Sequence, residues 1–161
     1  MRRPGQSTGV ARTRPSQFAV APLAGRVCGR CEKEYVVPDQ LSGKRILVVE
    51  DEYFIAFDVK RLLDSREVIV VGPTASVDAG RELIAESALD AAVLDVNLEG
   101  DFSYRLADEL TRRGVPFIFV TGYDHWALPD IYRSVPRVVK PFSRVDLLSS
   151  LESVLPEGAP V

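Results

Sequence analysis

Long apolar runs are missing from this chain. Nothing in it approaches the roughly 20 consecutive apolar residues a helix needs to cross a bilayer. The Arg2 and Arg3 pair near the start leads into polar residues instead of the apolar stretch of a signal peptide. The expectation is a cytoplasmic protein that makes no membrane contact. Cysteine and histidine are scarce as well: Cys28, Cys31 and a lone His125 in 161 residues. The Cys28 to Cys31 spacing is that of half a zinc site or of a redox pair, yet no second Cys or His pair stands near it, so the two are read as ordinary reduced thiols. Internal repeats and low-complexity tracts are also absent. Basic excess is confined to one end. Residues 1 to 43 hold seven Arg and Lys against three Asp and Glu, and since the whole chain carries -3, the remainder stands at -7. An acidic domain carries no electrostatic footprint for nucleic acid, so direct binding to DNA or RNA is not expected.

What is present is enough apolar material, 46% of residues beside 27% charged, for one well-filled core. Residues 1 to 43 contain Pro, Gly, Ser and Arg without periodicity and read as a flexible extension that adds nothing to that core. The domain is expected over 44 to 161. From Lys44 onward, apolar runs alternate with amphipathic ones, the pattern of a parallel α/β sheet. The strand runs are Arg45 to Val49, Val68 to Val71, Ala91 to Val96, Pro116 to Val120 and Arg137 to Val139. Helices are expected over Glu52 to Ser65, Ser76 to Ser87, Ser103 to Arg113 and Ser143 to Leu155. Core stripes are read at Ile55, Val59, Leu62 and Leu63 in the first helix and at Val145, Leu148, Leu151 and Leu155 in the last. Ser103 and Ser143 are candidate N-caps and Gly114 a helix stop. Pro129 leaves room for only a brief or irregular helix between Gly122 and Ser134. Right-handed crossovers then lead to a doubly wound, five-stranded parallel sheet of flavodoxin-like order 2-1-3-4-5, with helices on both faces.

In such a sheet ligands bind beyond the carboxyl ends of the strands, where strand order reverses. That rule gives meaning to the stretch RILVVEDE, in which a buried strand runs straight into Glu50, Asp51 and Glu52. Asp95 ends the third strand, Thr121 follows the fourth and Lys140 the fifth. With strands 1 and 3 adjacent, Asp51 and Asp95 should approach each other. Two carboxylates about 4 Å apart repel by about 4 kcal/mol at an effective dielectric near 20, which calls for a cation or a proton between them. Mg²⁺ suits such a site, because it takes oxygen ligands and is held by one or two carboxylates together with phosphate oxygens. Asp95 is then the nucleophile of a phosphoryl transfer, with Lys140 as a point charge and Thr121 as a hydroxyl donor for the phosphate. Glu52 is read as a helix-start residue complementing the macrodipole.

The set VVEDE, AAVLDVN, FVTGY and VVKPF resembles the receiver domain of two-component response regulators (the CheY-like domains) over residues 44 to 155. The resemblance implies that Asp95 is the phosphoacceptor, that Glu50 and Asp51 position Mg²⁺, and that Asn97 gives the metal a backbone carbonyl. It implies phosphoryl contacts for Thr121 and Lys140, and a cis bond between Lys140 and Pro141. Three residues before this lysine, receivers usually carry an aromatic switch residue; here Arg137 stands there. The loop after Asp95 reads Asn97-Leu98-Glu99-Gly100 in place of the frequent methionine-proline, and the stretch PFIFVTGY resembles the single-domain FAT GUY subgroup, with Val120 for its alanine.

The expected function is a stand-alone receiver, not an enzyme acting on other substrates. It would take a phosphoryl group from a sensor histidine kinase or a phosphotransfer protein and act through contact with a downstream protein, since the chain stops near the end of its fifth helix. Two alternatives are carried. One is a degenerate receiver that binds partners without phosphate. The other is a Mg²⁺-dependent phosphatase of the haloacid dehalogenase type, in which a second acid would stand at the place of Asn97. His125 is read as a solvated loop residue. Tyr123, Trp126 and Tyr132 are either a partner surface or packing for the irregular fourth crossover.

Overall fold

β1 (Arg45–Val49) is apolar after its first residue because it is covered on both sides, and Ile46 through Val49 are fully buried. The computed structural model describes residues 39–122 and 128–156. After β1 come α1 (Tyr53–Asp64), β2 (Ile69–Thr74), α2 (Val77–Glu86) and β3 (Ala91–Asp95). A two-stranded hairpin, β4 (Asn97–Leu98) with β5 (Asp101–Phe102), precedes α3 (Tyr104–Arg113). β6 (Phe117–Thr121), a single 3-10 turn at Asp130–Tyr132, β7 (Arg137–Val139) and α4 (Arg144–Val154) complete the fold. The main sheet has the order β2-β1-β3-β6-β7, all parallel, which is the expected 2-1-3-4-5.

The sheet divides its side chains strictly between two cores. Leu47, Val49, Leu94 and Phe119 face α2 and α3, whose Ile84, Leu106 and Leu110 complete one cluster. Ile46, Val48, Ile118 and Val120 face the other way, onto Val59 and Leu63 of α1 and Leu147 and Leu151 of α4. Register carries the strand ends to a common edge: Val49 lies beside Leu94, Asp95 beside Val120, and Thr121 beside Val139.

Local chemistry sets the helix ends. Ser143 accepts from the Asp146 N–H while Asp146 accepts from the Ser143 N–H, a full capping box. Gly114 closes α3 in the left-handed region at φ 68°. Ser103 departs from its expected cap role: its backbone is not extended, its side chain makes no cap bond, and its hydroxyl is buried with no hydrogen-bond partner among the described residues. The hairpin explains this, since it returns the chain so that the Ser103 N–H donates to Val96 O at 3.1 Å, leaving the hydroxyl turned inward.

Two further expectations are corrected. α4 presents Leu147, Leu151 and Leu155 to the core, while Val145 is 71% exposed, because packing against Ile118, Val120 and Val138 of the sheet takes the 147-151-155 line and leaves Val145 outside it. Leu41, which the boundary at 44 leaves in the extension, is fully buried in the α1/α4 core, and Asp39 is ion-paired with Arg66 at 2.6 Å. The domain therefore takes in residues 39–43. The rest of the extension, Cys28 and Cys31 included, lies outside the described residues.

Candidate functional site

Lys140 follows β7, and its backbone N–H donates to Thr121 O at 2.7 Å, which extends the β6/β7 ladder past the strand ends. The bond from Lys140 to Pro141 is cis, in keeping with what the resemblance implies. From there the side chain crosses the rim. Its Nζ donates to Asp95 Oδ2 at 2.7 Å, to Glu50 Oε1 at 2.8 Å and to Glu52 Oε1 at 3.1 Å. An ammonium group has three donors, and all three are used. Lys140, Glu50 and Asp95 are largely shielded from water, whereas the Glu52 side chain is 62% exposed.

Burial and charge push these groups in different directions. Burial raises the Glu50 carboxyl from its ordinary 4.5 to about 7, helped by the neighbouring Asp95 charge and resisted by the Lys140 hydrogen bond. Lys140 is pulled down by burial, but its hydrogen bonds and charge pairing with Asp95 and Glu50 more than offset this, and its pKa stands above the ordinary value. One lysine set among three carboxylates leaves uncompensated negative charge at the rim.

Carboxylate oxygens of Glu50, Glu52 and Asp95 lie within 4.8 Å of one another. That donor set, all hard oxygen and excess in charge, fits a divalent cation such as Mg²⁺. Asp51 is not one of these three; its Oδ2 accepts from the Glu99 N–H at 2.9 Å. The sequence pattern gives Glu52 only a helix-start role. It occupies the N-cap position of α1 but makes no cap bond, and its carboxylate turns to Lys140 instead. The signal for it is the triplet of acids directly after a buried strand, of which Glu52 is the third.

The remaining expected residues are placed as follows. Asp95 Oδ1 accepts from the Asn97 N–H at 3.2 Å, and the Asn97 side chain accepts from the Gly100 N–H at 3.1 Å. Thr121 is buried on the same rim, with its hydroxyl on the Gly122 carbonyl at 3.2 Å. Arg137 is exposed on the edge strand. Tyr132 packs inward against Tyr104, Phe117 and Phe119, and its hydroxyl donates to Asp108 Oδ1 at 2.6 Å. For this tyrosine packing is the answer; burial and the Asp108 carboxylate raise its pKa. Tyr123, His125 and Trp126 lie outside the described residues.

Comparison with known proteins gives a family and a fold. The sequence profile described as "Response regulator receiver domain" matches residues 46–152. The sensory transduction protein LytT of Bacillus cereus is 29% identical over 112 residues, which is 67% of this chain and 46% of LytT. The chain thus spans about half the length of this curated relative. The solution structure of SdrG from Sphingomonas melonis Fr1 superposes with a TM-score of 0.64 at 32% identity, over 71% of this chain and 97% of SdrG. The receiver domain of Erythrobacter litoralis PhyR, at 24% identity and a TM-score of 0.63 over 74% of this chain and 98% of that one, shares the fold.

Proposed function

Because this chain belongs to the response regulator receiver family, we propose that it is a phosphoacceptor acting as a stand-alone receiver, with Asp95 as the phosphorylated residue. The observation that carries the reading is the convergence of Lys140 on Asp95 Oδ2 and Glu50 Oε1, from strand ends remote in sequence. A carboxylate oxygen of Asp95 attacks the phosphorus of the donor. A P–O bond to Asp95 forms as the bond to the leaving group breaks, and the leaving group departs with the electron pair. Lys140 transfers a hydrogen bond from the carboxylate to a phosphoryl oxygen, and the Thr121 hydroxyl leaves the Gly122 carbonyl to donate to another. Mg²⁺, when bound by Glu50, Asp51, Asp95 and the Asn97 carbonyl, supplies further charge compensation for the transferring group.

A sensor histidine kinase or a phosphotransfer protein is the donor in this reading, with a downstream protein as the reader. Tyr53 and Phe54, 73% and 80% exposed at the start of α1 beside the rim, support a protein partner there. Among the described residues no helix is long and apolar enough to cross a membrane, which is compatible with a cytoplasmic site of action.

The test is incubation of the protein with Mg²⁺ and acetyl phosphate, followed by intact mass. The expected result is stoichiometric gain of one phosphoryl group in the wild type and none in Asp95→Asn. Continuous turnover of varied phosphoesters would favour the phosphatase alternative, and absence of labelling the phosphate-independent binding module.

A further inference from the structure

The β4/β5 hairpin touches the candidate site from outside the main sheet, and its role goes beyond the phosphoacceptor chemistry. Its tip residues, Glu99 and Gly100, take φ of 49° and 97°. Glycine tolerates this region freely, whereas a glutamate there costs about 1 kcal/mol. The strained residue is the one whose N–H donates to Asp51 Oδ2 at 2.9 Å. The base of the same hairpin holds a second acid, through the Asn97 N–H on Asp95 Oδ1 at 3.2 Å. The Asn97 side chain in turn accepts from the Gly100 N–H at 3.1 Å, which ties tip to base. One short hairpin therefore grips carboxylates from the ends of β1 and β3 through main-chain amides.

Asp51 differs from its neighbours in what it lacks. Glu50, Glu52 and Asp95 all share Lys140, but among the described residues Asp51 has no cationic partner. Its Oδ2 is held by Glu99, and its Oδ1 makes no hydrogen bond among the described residues. A ligating carboxylate performs best when a partner outside the metal fixes its orientation. A backbone amide does so without the rotamer entropy that ordering a long side chain costs.

We propose that the main-chain N–H of Glu99 is a positioning group for a divalent cation at Asp51. It anchors Oδ2 so that Oδ1 is left open for the ion. The inference rests on the reading of this rim as a cation site, and the experiment separates the two. MgCl₂ is titrated into the full chain and amide shifts at 50, 51 and 95 report the affinity. Glu99→Pro removes the N–H and cannot hold the positive φ; it is expected to weaken Mg²⁺ binding about tenfold. Glu99→Gly keeps the N–H and suits the backbone, so it is expected to bind as the wild type does. Wild-type affinity in Glu99→Pro, or equal losses in the two variants, would overturn the positioning role while leaving the cation site standing. No saturable response in the wild type would overturn both. Should Glu99→Pro not fold, Gly100→Val carries the same expectation and the same overturning result: its side chain meets open space, but its backbone resists φ 97°.

Discussion

Lys140 gives one ammonium donor to each of three carboxylates, and two of those three, Glu50 and Asp95, are buried. Removing the lysine strands both. Lys140→Met should therefore lose about 3 kcal/mol of stability at pH 8 without added metal, and less at pH 6, where Glu50 can take up a proton. Equal losses at the two pH values in chemical denaturation would contradict the picture of Glu50 as the titrating member. In the intact protein Glu50 is raised from 4.5 to about 7, so the native state binds more protons than the unfolded state between those values. Its contribution to stability is accordingly full below 4.5 and lost as pH rises through about 7. Metal binding runs the opposite way, because a cation needs Glu50 ionised. Mg²⁺ affinity should be about tenfold higher at pH 8 than at pH 6, as the ionised fraction follows from a pKa near 7; a Glu50→Gln variant should flatten that dependence. At this scale the sequence was legible for Glu50, Asp95, Thr121 and Lys140, because each ends a strand that the apolar runs delimit. Glu52 and Glu99 were not legible. A flexible exposed carboxylate and a backbone N–H carry no residue-type signal, and only three-dimensional placement gives them partners.

Among the elements, α2 and α3 meet where Gly80 faces Leu106. A Cβ at position 80 would stand 2.8 Å from Leu106 Cδ1, and Leu106 is fully buried. Gly to Ala inside a helix ordinarily gains about 1 kcal/mol. Here the overlap reverses the sign, and Gly80→Ala should lose about 1 to 2 kcal/mol; a gain in thermal midpoint would show that the helices can move apart freely. On α4, Leu147→Ala should cost about 2 to 5 kcal/mol and Val145→Ala less than about 0.5 kcal/mol, which distinguishes the observed helix face from the Val145, Leu148, Leu151 and Leu155 stripe that the spacing suggests. Both stripes satisfy helical periodicity, so the sequence could not choose between them. The capping box at Ser143 is consistent with either until the sheet is in place. The β4/β5 hairpin was illegible for a different reason: with two residues in each strand there is no period to read, and only the Glu99-Gly100 turn hinted at it.

For the molecule as a whole, alternation of apolar runs was sufficient to reach the five-stranded order, because parallel strands buried on both faces leave few topologies open. The amino-terminal boundary was harder, since a single apolar residue in a polar stretch has no periodicity to mark it. Leu41 fills the α1/α4 core and Asp39 pairs with Arg66, which also reaches Glu152 at 3.3 Å. A chain beginning at residue 39 should accordingly be more stable than one beginning at 44 by about 2 to 4 kcal/mol; equal denaturation midpoints would mean that Leu41 contributes nothing. The acidic domain and its rim of converging strand ends together make the central claim, that Asp95 takes up phosphate. Reduction of the phosphorylated protein with borohydride, followed by peptide sequencing by mass spectrometry, tests it most directly. The expected result is an acyl phosphate reduced to homoserine at position 95 and nowhere else; a label at any other residue, with Asp95 intact, would contradict that claim.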